Sequence, residues 1–271
     1  MISKDSVVGQ SASRPVGEST CRPVVRSTGD KWTAGLVIAA LSVVAMVSTA
    51  FAQAAASASQ AAPARPAAAA PARRPPLFFK EEWRQNEKND EHPATQEGIG
   101  NPNLELKLYG SSGKELQITG RAGDENNPIH IWSGLCTSPC AIGLRDKNNY
   151  ADLTGLARIR WNTKMSGFHH IRPIVKLADG TWLIGDREEG SSTRDWIFSE
   201  FNPADIRWMK LDITRVVTTG NLLDKVDLSK VDEIGYADLM PGSGHGAGGW
   251  VDVAQIEVYA KPVPRGGSST P

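Results

Sequence analysis

Between about residue 77 and residue 263, apolar side chains recur at every second position, and this alternation constrains the fold more than any other feature of the chain. A period of two belongs to strands with one buried and one wet face; a helix needs a period of 3.6. The alternation predicts strands over 77–83, 104–109, 116–120, 129–133, 141–145, 157–163, 170–177, 181–185, 195–201, 207–213, 233–237 and 251–259. Turn-forming runs separate them, such as Gly110-Ser111-Ser112-Gly113, Asn126-Asn127-Pro128 and Asp146-Lys147-Asn148-Asn149. Asp179-Gly180, set between two apolar stretches, is the strongest hairpin signal. No segment carries the pattern of a long amphipathic helix. Many short strands with regular turns predict an all-β chain, an antiparallel sandwich or barrel.

The front of the chain is different material. Lys31 and Trp32 lead into an apolar run over 34–47, followed by Ser48-Thr49-Ala50-Phe51-Ala52. A basic flank, a short apolar core and a small-x-small site predict a secretory signal cleaved after Ala52. The basic leader (Lys4, Arg14, Arg22, Arg26) is long for a signal. That leaves two alternatives, a later translation start or an uncleaved anchor, and the apolar run is near the lower limit for spanning a bilayer. The reading is of a secreted or periplasmic protein, with a membrane as partner only if the leader stays. Residues 53–76 are mostly Ala, Pro, Ser and Gln, interrupted by Pro63, Pro66, Pro71 and Pro75. Such a segment lacks the apolar side chains to offset ordering entropy and predicts a disordered tether. The sandwich domain is then 77–263, with a loose tail over 264–271 and already from Lys261 onward.

Charge adds an exclusion. The chain has 30 basic and 30 acidic side chains, so bulk attraction to nucleic acid is not expected. Export would place Cys136 and Cys140 in an oxidising compartment, where a local disulfide is the default. Closing so small a loop contributes only about 2 kcal/mol in the chain-entropy model. Cys21 would be lost with the leader.

The strand faces carry the functional hint. Over 157–163, Ala157, Ile159 and Trp161 share one face; Arg158, Arg160 and Asn162 share the other. Over 170–177, Ile171, Pro173, Val175 and Leu177 oppose His170, Arg172, Ile174 and Lys176. If the two strands are neighbours, Arg158, Arg160, Asn162, His170, Arg172 and Lys176 form one polar surface flanked by Trp182 and Trp196. Sugars suit that mixture: pyranose rings stack on aromatics, and hydroxyls accept from Arg, Lys and His. Solubilising cations on the wet face of a sheet are the competing reading. His245, in the glycine-rich run 241–249, is a further candidate contact, because glycine lets backbone approach a ligand closely.

No catalytic constellation emerges. His130, His169, His170 and His245 lack metal-hydrolase spacing, and no Gly-x-Ser-x-Gly elbow occurs. No catalytic residue is assigned. No cofactor is expected, except that Asp252 and Glu257 near the closing strand could hold a structural calcium with backbone carbonyls.

The run Val226-Asp227-Leu228-Ser229-Lys230-Val231-Asp232-Glu233-Ile234-Gly235-Tyr236-Ala237-Asp238-Leu239, followed by Trp250-Val251-Asp252-Val253-Ala254-Gln255-Ile256-Glu257-Val258-Tyr259, resembles the closing half of galactose-binding-like jelly-roll domains. With the opening Pro76-Leu77-Phe78-Phe79-Lys80-Glu81-Glu82-Trp83 and the centre Lys176-Leu177-Ala178-Asp179-Gly180-Thr181-Trp182-Leu183, it also resembles a group of exported bacterial proteins. The resemblance implies a jelly-roll β-sandwich that binds glycans as an accessory module, often with a structural calcium. The Glu-x-Asp-x-Glu signature of family 16 glycoside hydrolases is absent. The expectation is an exported carbohydrate-binding β-sandwich without catalysis. The alternatives are a secreted sugar hydrolase (glycoside hydrolase or 3-keto-disaccharide hydrolase) and a structural protein of the envelope.

Overall fold

Residues 73–85, 91–190 and 195–266 are described by the structure, a computed structural model. The expected leader and cleavage site, all but the end of the tether, and residues 267–271 lie outside them. In chain order the strands are β1 (Leu77–Glu82), β2 (Glu91–Pro93), β3 (Leu104–Tyr109), β4 (Gln117–Thr119), β5 (His130–Trp132), β6 (Cys140–Asp146), β7 (Asn149–Asp152), β8 (Arg158–Met165), β9 (Ile171–Leu177), β10 (Trp182–Gly185), β11 (Ile197–Phe201), β12 (Trp208–Asp212), β13 (Val217–Leu223), β14 (Val231–Asp238), β15 (Val251–Tyr259) and β16 (Lys261–Pro264). Three single 3₁₀ turns are the only helical elements among the described residues.

The strands form two antiparallel sheets, as the alternation predicts. The first runs β11-β8-β15-β5-β4-β2, with β1 pairing the same edge of β15 beyond β5; the second runs β13-β12-β10-β9-β14-β6-β3, with β7 bridging β14 and β16. Their inner faces meet in one core that includes Ile159, Trp161, Val175, Tyr236 and Ile256. Trp161 sits at its centre, edge-on to both Phe201 and Tyr236. Trp83 ties β1 to this core by donating Nε1–H to Val253 O at 2.6 Å.

Alternation missed four short strands. β2, β13 and β16 are edge segments whose residues are largely exposed, and β7 is a four-residue bridge with one buried position, so they carry little apolar pattern. β16 also corrects the expectation of a loose chain after Lys261. It pairs with β7, and Arg265 beyond it donates to Asp146 O, pairs with Asp232 and lies over the Tyr150 ring.

The outer face of the second sheet is not simply wet. Ile174, Ile184, Ala141, Ala237 and Leu211 form a small second core there, capped by Val216 from the β12–β13 turn. Ile174 therefore keeps its strand parity yet is fully buried.

One buried polar clasp organises the end of the sandwich where the glycine-rich loop leaves and returns. Asp238 Oδ2 accepts from Ser133 Oγ and His169 Nδ1, both at 2.8 Å, and Oδ1 accepts from Met240 N at 3.1 Å. Ser133 Oγ in turn accepts from Val251 N at 3.0 Å. One carboxylate thus joins the end of β5, the β8–β9 crossing and both ends of the loop. Removing a buried acceptor strands the donors gathered on it, here Ser133 Oγ, His169 Nδ1 and Met240 N. Asp238→Ala is expected to lower the unfolding free energy by about 3 kcal/mol in urea titrations.

Glu81 is the other buried acid of interest. Its carboxylate caps the turn at 100–101, accepting from Gly100 N at 2.6 Å and Asn101 N at 3.0 Å. Burial outweighs these two bonds and raises its pKa to about 7. The folded chain then holds a proton that the unfolded chain has released. The associated stability is complete below the unfolded carboxyl pKa and is lost as pH rises through about 7. Urea titrations at pH 5 and pH 8 are expected to differ by about 2.5 kcal/mol from this group, and Glu81→Gln to remove that part of the difference.

Candidate functional site

The expected single polar surface does not exist. β8 belongs to the first sheet and β9 to the second, so Arg158, Arg160 and Asn162 lie on the opposite side of the molecule from Arg172 and Lys176. The two strands are joined by a crossing at 166–170 rather than a hairpin. Gly167 takes φ 66° there, and the buried His169 is anchored on Asp238. Each strand still turns its apolar face to the common core, which is all that alternation encodes.

On the second sheet the predicted residues are held by internal partners. Arg172 Nε donates to Gly185 O at 2.7 Å, on the carbonyl that faces Pro173, a residue with no N–H to offer. Lys176 pairs with Glu233 at 2.9 Å and Asp232 at 3.3 Å. Burial pulls its pKa down, but the two carboxylates prevail and hold it above the usual lysine value. Trp182 packs edge-on against Tyr109 with centroids 4.8 Å apart. His170 is exposed in the turn before β9.

The first sheet is built differently. An extra residue at Ala254 shifts the register of β15, so that Asp252, Gln255, Glu257 and Tyr259 oppose Lys164, Asn162, Arg160 and Arg158. All eight then share the outer face. At one end the cations are spent on neighbours. Arg158 lies over Tyr259 and pairs with Glu200; Arg160 lies over Phe198 and pairs with Glu257.

Toward the other end the face hollows into two cavities. One, of about 340 Å³, is lined by Glu82, Arg121, Pro128, Asn162 and Gln255 among others. The second, of about 190 Å³, is lined by Glu91, Asn127, His130, Trp132, Lys164, His245, Trp250 and Asp252. The loop 121–128 borders both, and Trp196 is fastened to it by Nε1–H donation to Asn126 O at 3.2 Å. Trp196 also stands edge-on to His130, with the Lys164 ammonium 6.0 Å from its ring.

Asp252 is the charged floor of the second cavity. Trp250 Nε1 donates to its Oδ2 at 3.2 Å. His130 Nε2 stands 3.4 Å from Oδ1. His130 Nδ1 meets Pro128 O at 2.7 Å, where the ring can only donate, so Nε2 carries a hydrogen toward Asp252 only when the imidazole holds a second proton. Three buried polar atoms on residues that line the cavities have no hydrogen-bond partner among the described residues: Asn162 Oδ1, Trp132 Nε1 and Asp252 Oδ1.

Trp132 and Lys164 are the residues that sequence reading missed. His130-Ile131-Trp132 does carry the signal: a tryptophan shares parity with a histidine on the non-core face of a strand. Lys164 fell one residue past the predicted strand end.

Two further expectations are corrected. Asp252 and Glu257 do not converge on one calcium. They lie on one face opposite Lys164 and Arg160, about 13 Å apart along the strand. Glu257 is occupied by Gln255 and Tyr259. Among the described residues no three His, Cys, Asp or Glu side chains are grouped to hold a metal. The expected Cys136–Cys140 bridge is not formed in this structure: both are buried free thiols. The Cys136 S–H points at Ser112 O, 3.6 Å away, and contact with Cys136, together with burial, pushes the Cys140 thiol pKa up.

No protein-family model matches the chain, and no curated protein matches it in sequence. Solved structures give distant likenesses. The family 11 carbohydrate-binding module of cellulosomal cellulase Lic26A-Cel5E of Clostridium thermocellum aligns over 63% of this chain and 95% of its own, at 14% identity and TM-score 0.38. An exo-beta-agarase aligns over 65% of this chain and 25% of its own, at 10% identity and TM-score 0.34. The carbohydrate recognition domain of Emp47p aligns over 63% and 95%, at 9% identity and TM-score 0.30.

Arg172 holds backbone in place of a missing amide. Arg172→Ala is therefore expected to lower the unfolding free energy by about 1–3 kcal/mol, read by urea titration, because it leaves Gly185 O without its donor.

Proposed function

We propose that the outer face of the first sheet binds carbohydrate without cleaving it, as a galactose-binding-like module of an exported protein. The observation that carries this reading is the set of three buried, unpartnered polar atoms on residues that line the two cavities, one donor (Trp132 Nε1) and two acceptors (Asn162 Oδ1, Asp252 Oδ1). Buried polar groups are nearly always paired in native proteins. A ligand that completes both kinds must donate and accept along its length, as sugar hydroxyls do. A simple anion satisfies only the indole; a simple cation satisfies only the oxygens. The rings of Trp132, Trp250 and Trp196 add apolar surface for the carbon face of a pyranose. Two cavities on one face fit a chain of sugar units better than a single one.

The absence of the family 16 signature supports binding over hydrolysis. The segment ending at Ala52 supports export, which predicts a mature protein beginning at Gln53 when its mass is measured from the extracellular or periplasmic fraction.

Binding is checked by affinity electrophoresis against soluble neutral polysaccharides (β-glucan, xyloglucan, galactomannan, agarose). Trp132→Ala and Asp252→Asn are each expected to weaken retardation about tenfold or more. Arg172→Ala and Lys176→Ala, on the other sheet, should leave it unchanged. The opposite pattern rejects this face as the site. Release of reducing ends from any retained polymer favours the hydrolase instead, and no retardation by any polymer favours an envelope structural role.

A further inference from the structure

We propose that His245 is a displaceable lid: its imidazole occupies, on the Trp132 indole, the place that a sugar ring takes in the complex. This rests on the carbohydrate reading above and specifies how that site opens.

Trp132 stands on the outer side of the sheet yet is only 3% exposed. The His245 ring stacks on it, with centroids 4.7 Å apart and planes within 13° of parallel. Trp250 meets the same imidazole edge-on at 5.9 Å. Among the described residues the His245 side chain makes no hydrogen bond or ion pair besides these two ring contacts, and it is exposed to solvent. An imidazole flat against an indole buries it with the same geometry as a pyranose, but leaves the indole N–H unpartnered.

The loop that carries His245 is closed on itself. Ser243 Oγ accepts from Gly249 N at 2.8 Å and donates to Gly246 O at 3.1 Å, closing 243–249 into a small lobe. Gly249, at one end of the lobe, adopts φ 104°, and Gly244 within it φ 59°, both in the region that only glycine enters freely. Two backbone bonds, Gly242 N to Cys136 O and Gly244 N to Gly134 O, seat it on the loop after β5. The Asp238 clasp fixes the two points where the loop leaves and rejoins the sheets, so movement of the lobe need not disturb the strands.

Size gives the independent argument. The cavity beneath His245 measures about 190 Å³, below the roughly 300–1,000 Å³ usual for small-molecule sites. With the imidazole swung away, Trp132, Trp250 and the free oxygen of Asp252 line one larger open site.

The test pairs His245→Ala with oxidation of tryptophan by N-bromosuccinimide, mapped by peptide mass spectrometry in the ligand-free protein. Trp132 is expected to be oxidised several-fold faster in His245→Ala than in the wild type, while buried Trp161 stays unreactive in both. Equal Trp132 rates overturn the lid. Affinity for whichever neutral polysaccharide retards the wild type is expected to rise roughly two- to tenfold in His245→Ala, because the ring no longer competes for the indole. A fall in affinity makes His245 a ligand contact and overturns the proposal. If neither protein binds any polymer but Trp132 is unmasked, the sugar reading fails and the screening of Trp132 by His245 stands.

Discussion

The extra residue at Ala254 is the constraint on which the candidate site depends. In an unbroken strand, Asp252 and Glu257 have opposite parity, and one of them would point into the core. The bulge absorbs one residue, so that Val253, Ile256 and Val258 all face inward while Asp252, Gln255, Glu257 and Tyr259 all face outward. It therefore lets a single strand serve a dry interior and a continuous polar surface along its whole length. It also sets Asp252 level with Lys164 and Trp132, the neighbours that make it part of a cavity rather than part of a salt-bridge ladder.

The two outer faces of the sandwich resolve their polar groups in contrasting ways. On the second sheet, Asp232 is shared by Arg145, Arg265 and Lys176, and Glu233 accepts from Tyr109 and Lys176. The carboxylate of Asp232 is shifted by burial, which raises its pKa, but its arginine partners more than offset that and hold it below the usual range. Such a network is internally complete and has little to offer a ligand. On the first sheet, Arg158 and Arg160 are engaged by Tyr259, Glu200, Phe198 and Glu257, although Arg158 Nε has no hydrogen-bond partner among the described residues. Beyond Asn162 the partners run out, and the face becomes concave at the same point. Arg158, Arg160, Arg172 and Lys176 thus lie outside the cavities, whereas the composition alone makes them look like the binding patch.

How much of this was legible in the sequence follows from what alternation can encode. Parity along a strand is local, so Ile159 and Trp161 against Arg158 and Arg160 were readable, and so were most strand positions. Sheet membership is not local. Whether β8 and β9 are neighbours or lie across the core depends on the five residues between them, and a crossing and a hairpin present the same parity on either side. The site also required long-range facts. Trp132, Asp252 and His245 come from three separate segments, and they meet because β5 pairs with β15 and because the loop before β15 folds back over the sheet. Of the residues there, Trp196, His245 and Asn162 are legible as sugar contacts (flanking aromatic, loop contact and wet-face amide), and Asp252 only as a calcium ligand.

The clasp and the cavity belong to one design problem. A loop rich in glycine loses much conformational entropy when ordered and has few side chains with which to recover it. Here the ends are fixed by side chains, and the lobe between them is seated by two backbone bonds, Gly242 N to Cys136 O and Gly244 N to Gly134 O. Asp238 gathers Met240 and, through Ser133, Val251, while the intervening lobe is closed mainly by the single hydroxyl of Ser243. Stability is thereby concentrated in the buried polar group, and the segment over Trp132 is left with weak, separable contacts. Local stability that falls from a buried anchor to an exposed lobe is what a surface needs if it is to keep an indole covered in water and present it to a ligand. The same division explains why the most buried acid in this region lies behind the site, while the acid in the cavity keeps one oxygen free.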